Sequence, residues 1–171
     1  TSRDAAHKRI FELIEKGESL PFAIDGASIY YAGPTPTPEH LAIGSCGPTT
    51  SSRMDIYAPD LYRMGLAATV GKGDRNDAVY EAIKENGGIY LCAIGGAGAL
   101  ASKAITDAEV IAYDDLGCES VKKFTIDVEM EGGDVSAAVA MITGTGISMG
   151  GLLSYIAFNM TTIPCFASVA T

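Results

Sequence analysis

Apolar side chains recur at Ala6, Ile10, Leu13 and Ile14, one face of a helix, so residues 4–17 read as a helix that Gly17 stops. Residues 28–32 form a short strand-like run. The three prolines of Gly33-Pro34-Thr35-Pro36-Thr37-Pro38 then forbid regular structure and leave a rigid, exposed loop. A brief apolar run at 41–43 leads into the Gly- and hydroxyl-rich stretch 44–52. Behind it a helical pattern over 53–64 is bent or broken at Pro59. The chain continues with a strand at 66–70, the turn Gly71-Lys72-Gly73, and a helix at 74–86 whose buried stripe is Val79, Ala82 and Ile83, with Asp74 as its N-cap. A strand at 89–94, a glycine turn at 95–98, a short helix at 99–105 and a strand at 110–113 follow. Repetition of strand, glycine turn and helix predicts an α/β domain with a largely parallel sheet. Three glycine turns then fall at the carboxyl ends of strands, the edge where such sheets bind ligands.

Composition narrows the possibilities. The 171 residues suit a single domain over 1–171, and a formal charge of -9 with no local Lys/Arg cluster disfavours nucleic acid. Cys46, Cys92, Cys118 and Cys165 are widely spaced and contain no C-x-x-C, which argues against a zinc site or a disulfide framework and fits thiols kept in a reducing, cytoplasmic compartment. The chain opens at Thr1 without Met or a signal-type apolar stretch, as a processed subunit or an excised domain would. Residues 135–171 carry no charged side chain and no His. Glycines interrupt that stretch and no basic residues flank it, so a buried strand-turn-helix is expected there rather than a membrane span.

Three stretches carry candidate chemistry. Gly71-Lys72-Gly73 lies between a strand and a helix, so backbone N–H groups and an ammonium converge on an anion site, with a structural turn and a solvated lysine as the alternative. Its spacing and the absence of a following Ser/Thr exclude a Walker A loop. Pro48-Thr49-Thr50-Ser51-Ser52-Arg53 puts four hydroxyls and a guanidinium, a planar fork for carboxylate, at a helix start; the alternative is an over-provided cap. Arg3 and His7 stand one helical turn apart and can face one site, although a lone His is more often a surface or capped residue than a catalyst. Gly95-Gly96-Ala97-Gly98 fails the dinucleotide fingerprint, and no His/Cys set has metal-ligand spacing.

Six segments taken in order resemble the iron-sulfur hydro-lyases. They are residues 3–9, 31–36, 47–55, 71–73, 95–97 and 111–117, and they look most like the beta subunit or C-terminal domain of class I fumarate hydratase and L-tartrate dehydratase. The resemblance covers residues 1 to about 120 and fades after Val121; Ser52 stands where Gly is common and Asp114 where Glu is common. It implies a three-layer β/β/α swivelling domain. It also implies reversible addition or removal of water on a 2-hydroxydicarboxylate such as malate or tartrate, with a [4Fe-4S] cluster acting as Lewis acid on the leaving hydroxyl. The cluster belongs to a cluster-bearing alpha subunit or N-terminal domain and is not ligated by this chain, which is expected to be inactive alone and to work in an oligomer.

By match to the family motifs, Arg3, Arg53 and Lys72 clamp substrate carboxylates, with Thr49, Arg53 and Lys72 as the catalytic set. Thr49 is the candidate for proton transfer near the reacting carbons, while Thr50, Ser51, Gly71 and Gly73 shape the pocket. Proton loss beside a carboxylate builds charge on it, so fixed cations there stabilise the transition state more than the ground state. The competing reading is a non-catalytic module that binds a small dicarboxylate or phosphate through the same loops.

Overall fold

The computed structural model describes residues 1–126. The expected strand-turn-helix at 135–171 lies outside the described residues. The first helix, α1 (Asp4–Lys16), runs as its apolar spacing predicts, and Gly17 ends it in the left-handed C-cap conformation. Strand β1 (Ser28–Tyr30) is followed by a 3-10 turn at Ser51–Met54 and α2 (Ala58–Arg63), which has Pro59 in its first turn. The helical pattern over 53–64 is thus broken in two rather than bent, and Pro59 starts the second piece, where its missing N–H would be unpaired in any case. Strand β2 (Ala68–Gly71), α3 (Asp77–Asn86), β3 (Ile89–Cys92) and α4 (Gly98–Ala104) complete the repeat.

Strands β1, β2 and β3 form a parallel sheet in that order, with Ser28 opposite Ala68 and Ala68 opposite Ile89. The protein is thus of the α/β class. Alternation along β1 and the residues after it divides the core. Ile29 and Tyr31 join Ile10, Leu61, Tyr62 and Val79 beneath the helices, whereas Tyr30 and Ala32 join Ile43, Cys46 and Ile105 on the other side. That second side is covered by an antiparallel hairpin, β4 (Ile105–Ala112) and β5 (Val121–Ile126). Ala108 and Phe124 point into the second cluster, and Glu109 stands opposite Lys123 as an oppositely charged cross-strand pair.

Three expectations change. The strand expected at 110–113 begins at Ile105, because Asp107 and Glu109 lie on the outward face and break the apolar run that the sequence displays. Residues 41–43 are not a strand, so the Gly44 turn does not follow one, although Ile43 is buried against the hairpin. Helix α3 starts three residues later than expected, with Asn76 as its N-cap in place of Asp74; the Asn76 side chain accepts the Val79 N–H at 3.0 Å. The intervening residues stay irregular because Arg75 turns inward to meet Asp55.

Candidate functional site

The site forms where the carboxyl ends of β1 and β2 part. Residues 48–51 enter the gap: the Thr49 N–H donates to Tyr31 O at 2.7 Å, the Lys72 N–H to Thr49 O at 3.1 Å, and the Ser51 N–H to Lys72 O at 2.9 Å. Thr50 and Lys72 consequently pair as a short parallel bridge that prolongs β2. Backbone hydrogen bonding alone thus sets the hydroxyl-rich segment beside the Gly71-Lys72-Gly73 turn, at the edge where parallel sheets bind ligands.

Side chains from three distant stretches meet there. The Arg53 guanidinium donates to Thr49 Oγ1 at 3.1 Å, and its NH2 lies 3.4 Å from Asp4 Oδ2. Arg3, the residue preceding α1, places Nε 3.8 Å from the same Asp4 oxygen and NH2 3.6 Å from Glu119 Oε1. A Cβ built on Gly33 would stand 2.8 Å from Arg3 Cδ, so the absence of a side chain at Gly33 is what lets Arg3 lie across the loop. Arg3, Thr49 and Arg53 are thereby brought together. The Lys72 backbone is paired to the same segment, while its amine leans over the turn at Gly95, 3.6 Å from where a Cβ would be. Thr50 and Gly73 are exposed at this edge; Gly71 is buried.

Ser51 lies beneath the site rather than in it. The Tyr90 phenol donates to Gly73 O at 2.5 Å, which leaves Ser51 Oγ to donate to Tyr90 Oη at 2.9 Å. Ser51 therefore ties the Lys72 turn to β3 and is wholly buried. His7 also departs from expectation. It does not face the site but is buried between Tyr57, stacked at 5.6 Å, and the edge of Tyr31 at 5.5 Å. Its Nδ1 donates to Arg3 O at 2.8 Å, and burial pushes its pKa down to about 4. The neutral ring thus fixes the backbone from which the Arg3 side chain departs.

The residues that the sequence reading passed over are those that position the cations. Arg75 is buried, donates Nε to Asp55 Oδ1 at 2.6 Å and NH1 to Thr69 Oγ1 at 3.1 Å, and lies over the rings of Tyr31 and Tyr90 at 5.3 and 5.0 Å. Burial opposes its charge, but Tyr31 and the hydrogen-bonded Asp55 outweigh that and hold its pKa above the usual guanidinium value. Asp55 Oδ2 accepts the Asn76 N–H at 2.8 Å, so one carboxylate joins the turn carrying Arg53 to the loop carrying Lys72. The alternating charges around residues 53–55 and 72–75 were a weak signal for this pair. Glu119 offered none, since it meets the start of α1 from the far end of the described chain.

Among the described residues, no group of three or more His, Cys, Asp or Glu side chains is placed to hold a metal ion. Cys46 is buried and its thiol pKa is raised to about 11 by burial, whereas Cys92 and Cys118 are exposed and unpaired. The described donor set does not fit an iron-sulfur cluster. No helix among the described residues is long and apolar enough to cross a membrane.

Residues 1–142 match the family described as Fumarase C-terminus. The chain is 43% identical over 127 residues to the aerobic class I fumarate hydratase of Escherichia coli K12, covering 73% of this chain and 23% of that protein. It is also 43% identical over 129 residues to fumarate hydratase 2 of Leishmania major, covering 74% and 22%. With a putative L(+)-tartrate dehydratase subunit beta of Methanocaldococcus jannaschii the identity is 33% over 121 residues, covering 68% of this chain and 62% of that protein. The chain thus spans less than a quarter of the length of the two fumarate hydratases. The family match over residues 1–142, most of its length, shows that this chain belongs to the Fumarase C-terminus family.

Proposed function

We propose that this chain is the carboxylate-binding component of a hydro-lyase that adds or removes water on a 2-hydroxydicarboxylate of the malate or tartrate type. The observation that carries the reading is the meeting of Arg3, Arg53 and Thr49, with Lys72 paired to the same backbone segment, in a chain of net charge -9. An acidic protein that concentrates cations at the carboxyl edge of its sheet attracts small anions to that edge and repels larger polyanions. The kinship with fumarate hydratases and a tartrate dehydratase beta subunit supports the same chemistry.

Arg53 and Arg3 bind one substrate carboxylate, and Lys72 serves as the cation for the second. Dehydration removes a proton beside a carboxylate, and the charge that develops on that carboxylate is met by guanidinium N–H groups already in place. Thr49 Oγ, held by the Arg53 N–H, is then the hydroxyl nearest the reacting carbons. Because Oγ1 already accepts the Arg53 N–H, the Thr49 hydroxyl would act as a relay, accepting the substrate proton as it passes its own proton on to a base supplied by the partner or solvent. Because the described residues offer no ligand set for the cluster, the leaving hydroxyl is assigned to a cluster-bearing subunit or domain that covers this edge and excludes water. The working enzyme is accordingly an assembly of at least these two components in the cytoplasm.

The test is turnover after assembly with a cluster-bearing partner, followed as fumarate formation from malate and as dehydration of tartrate. Arg53→Ala and Lys72→Ala should each lower kcat by about 100- to 1000-fold, the usual effect of removing one preorganised donor to a developing oxyanion. Rates equal to those of the unaltered protein would refute the clamp. An assembly that binds succinate but turns over neither substrate would instead favour the anion-binding module.

A further inference from the structure

The two guanidiniums assigned to the substrate already hold a carboxylate of the chain's own. Asp4 Oδ2 lies 3.4 Å from Arg53 NH2 and 3.8 Å from Arg3 Nε. Both Asp4 Oδ2 and Arg3 Nε are buried atoms without a hydrogen-bond partner among the described residues. The Asp4 carboxylate therefore supplies charge to the pair but does not close either hydrogen bond. A carboxylate free to orient itself could close both.

We propose that Asp4 is a resident counter-ion of the arginine pair, which an incoming carboxylate displaces and which thereby sets the affinity of the site. The proposal rests on the reading of Arg3 and Arg53 as the carboxylate clamp. Three features make the exchange feasible. The Asp4 side chain is 38% exposed and can turn outward. It sits in the first turn of α1, where the helix dipole favours an anion even after it leaves the pair. Arg3 does not follow it, because Glu119 Oε1 stays 3.6 Å from Arg3 NH2 while its other oxygen accepts the Ala5 N–H at 2.9 Å. Without an anion, two guanidiniums facing the same point repel each other; Asp4 keeps them convergent until substrate arrives. The cost is competition, since exchanging one carboxylate for another yields little net attraction.

The measurement is an NMR titration of the full chain with succinate, an unreactive dicarboxylate, following the arginine Nε–H resonances. Asp4→Asn keeps size and polarity but removes the competing charge, and should bind succinate about three- to tenfold tighter, as loss of two partly exposed ion pairs allows. Asp4→Glu retains the counter-ion and should bind as the unaltered chain does. Asp115→Asn, which removes a surface carboxylate paired with Arg9, changes net charge equally and should leave binding unchanged. Succinate binding to D4N that is no tighter than to the unaltered chain overturns the proposal, including the case in which neither binds. Equal tightening by D115N overturns it as well, because the effect would then belong to the general field. Failure of the underlying clamp shows differently: adding Arg53→Ala to D4N would leave the tightened binding intact.

Discussion

Replacing Arg75 by Met tests whether the ion pair under the site holds it together. The substitution removes the 2.6 Å bond to Asp55, the 3.1 Å bond to Thr69 and the stacking between Tyr31 and Tyr90, and leaves Asp55 buried with the Asn76 N–H as its remaining partner. Asp55 is 6% exposed, so water cannot take over the role of the guanidinium. Removing one member of a buried pair costs about 3–5 kcal/mol. Against a typical domain stability of about 5–15 kcal/mol and a urea dependence of about 2 kcal/mol per molar, the unfolding midpoint should fall by about 2 M. Circular dichroism through a urea series measures it. The double variant Asp55→Asn, Arg75→Met keeps an acceptor for the Asn76 N–H but no longer buries a lone charge. It should recover about half or more of the loss, a coupling that separated sites do not show. A midpoint shift under about 0.5 M for R75M, or a double variant as unstable as the two single effects summed, would refute the reasoning.

Two more expectations concern neighbours of the site. Burial holds the His7 pKa near 4 against an ordinary 6.5, with the Arg3 carbonyl and Asp4 opposing the shift. The unfolded chain takes up this proton below about 6.5 while the folded protein resists it until about 4, so stability is greatest above that window and falls through it by about 3 kcal/mol as pH drops. Urea unfolding at a series of pH values should show the fall, and His7→Asn should flatten it; an unaltered slope would contradict the assignment. Gly71→Ala puts a Cβ against Ser51 Oγ and within 2.8 Å of the Tyr31 ring, which should cost about 1–3 kcal/mol of stability. Thermal unfolding reads that cost, and adding Ser51→Ala should return part of it. A Gly71→Ala protein as stable as the parent would mean that the contact is not tight.

Local pattern determined much of this protein. The stripe of Ala6, Ile10 and Ile14 with Gly17 behind it suffices for α1, because a helix with one apolar face and a glycine stop is encoded within a few turns. The strand and glycine-turn repeats likewise announced a parallel sheet, and residue type alone singled out the run 48–53 and the turn 71–73, which the backbone places side by side. Hairpin β4–β5 was less legible, since only pairing with β5 and packing against Ile43 and Tyr30 give its charged-studded strand a reason to exist. Tertiary structure alone decided which groups share the site. The wedge of Thr49 between Tyr31 and Lys72, the Asp55–Arg75 pair and the approach of Glu119 to Arg3 all join residues far apart in sequence. Such contacts depend on how the backbone is laid across the sheet edge, and no local period records that. The same reason explains His7, whose helical position could not say whether its ring turned toward the sheet edge or, as the stacking on Tyr57 shows, into the core.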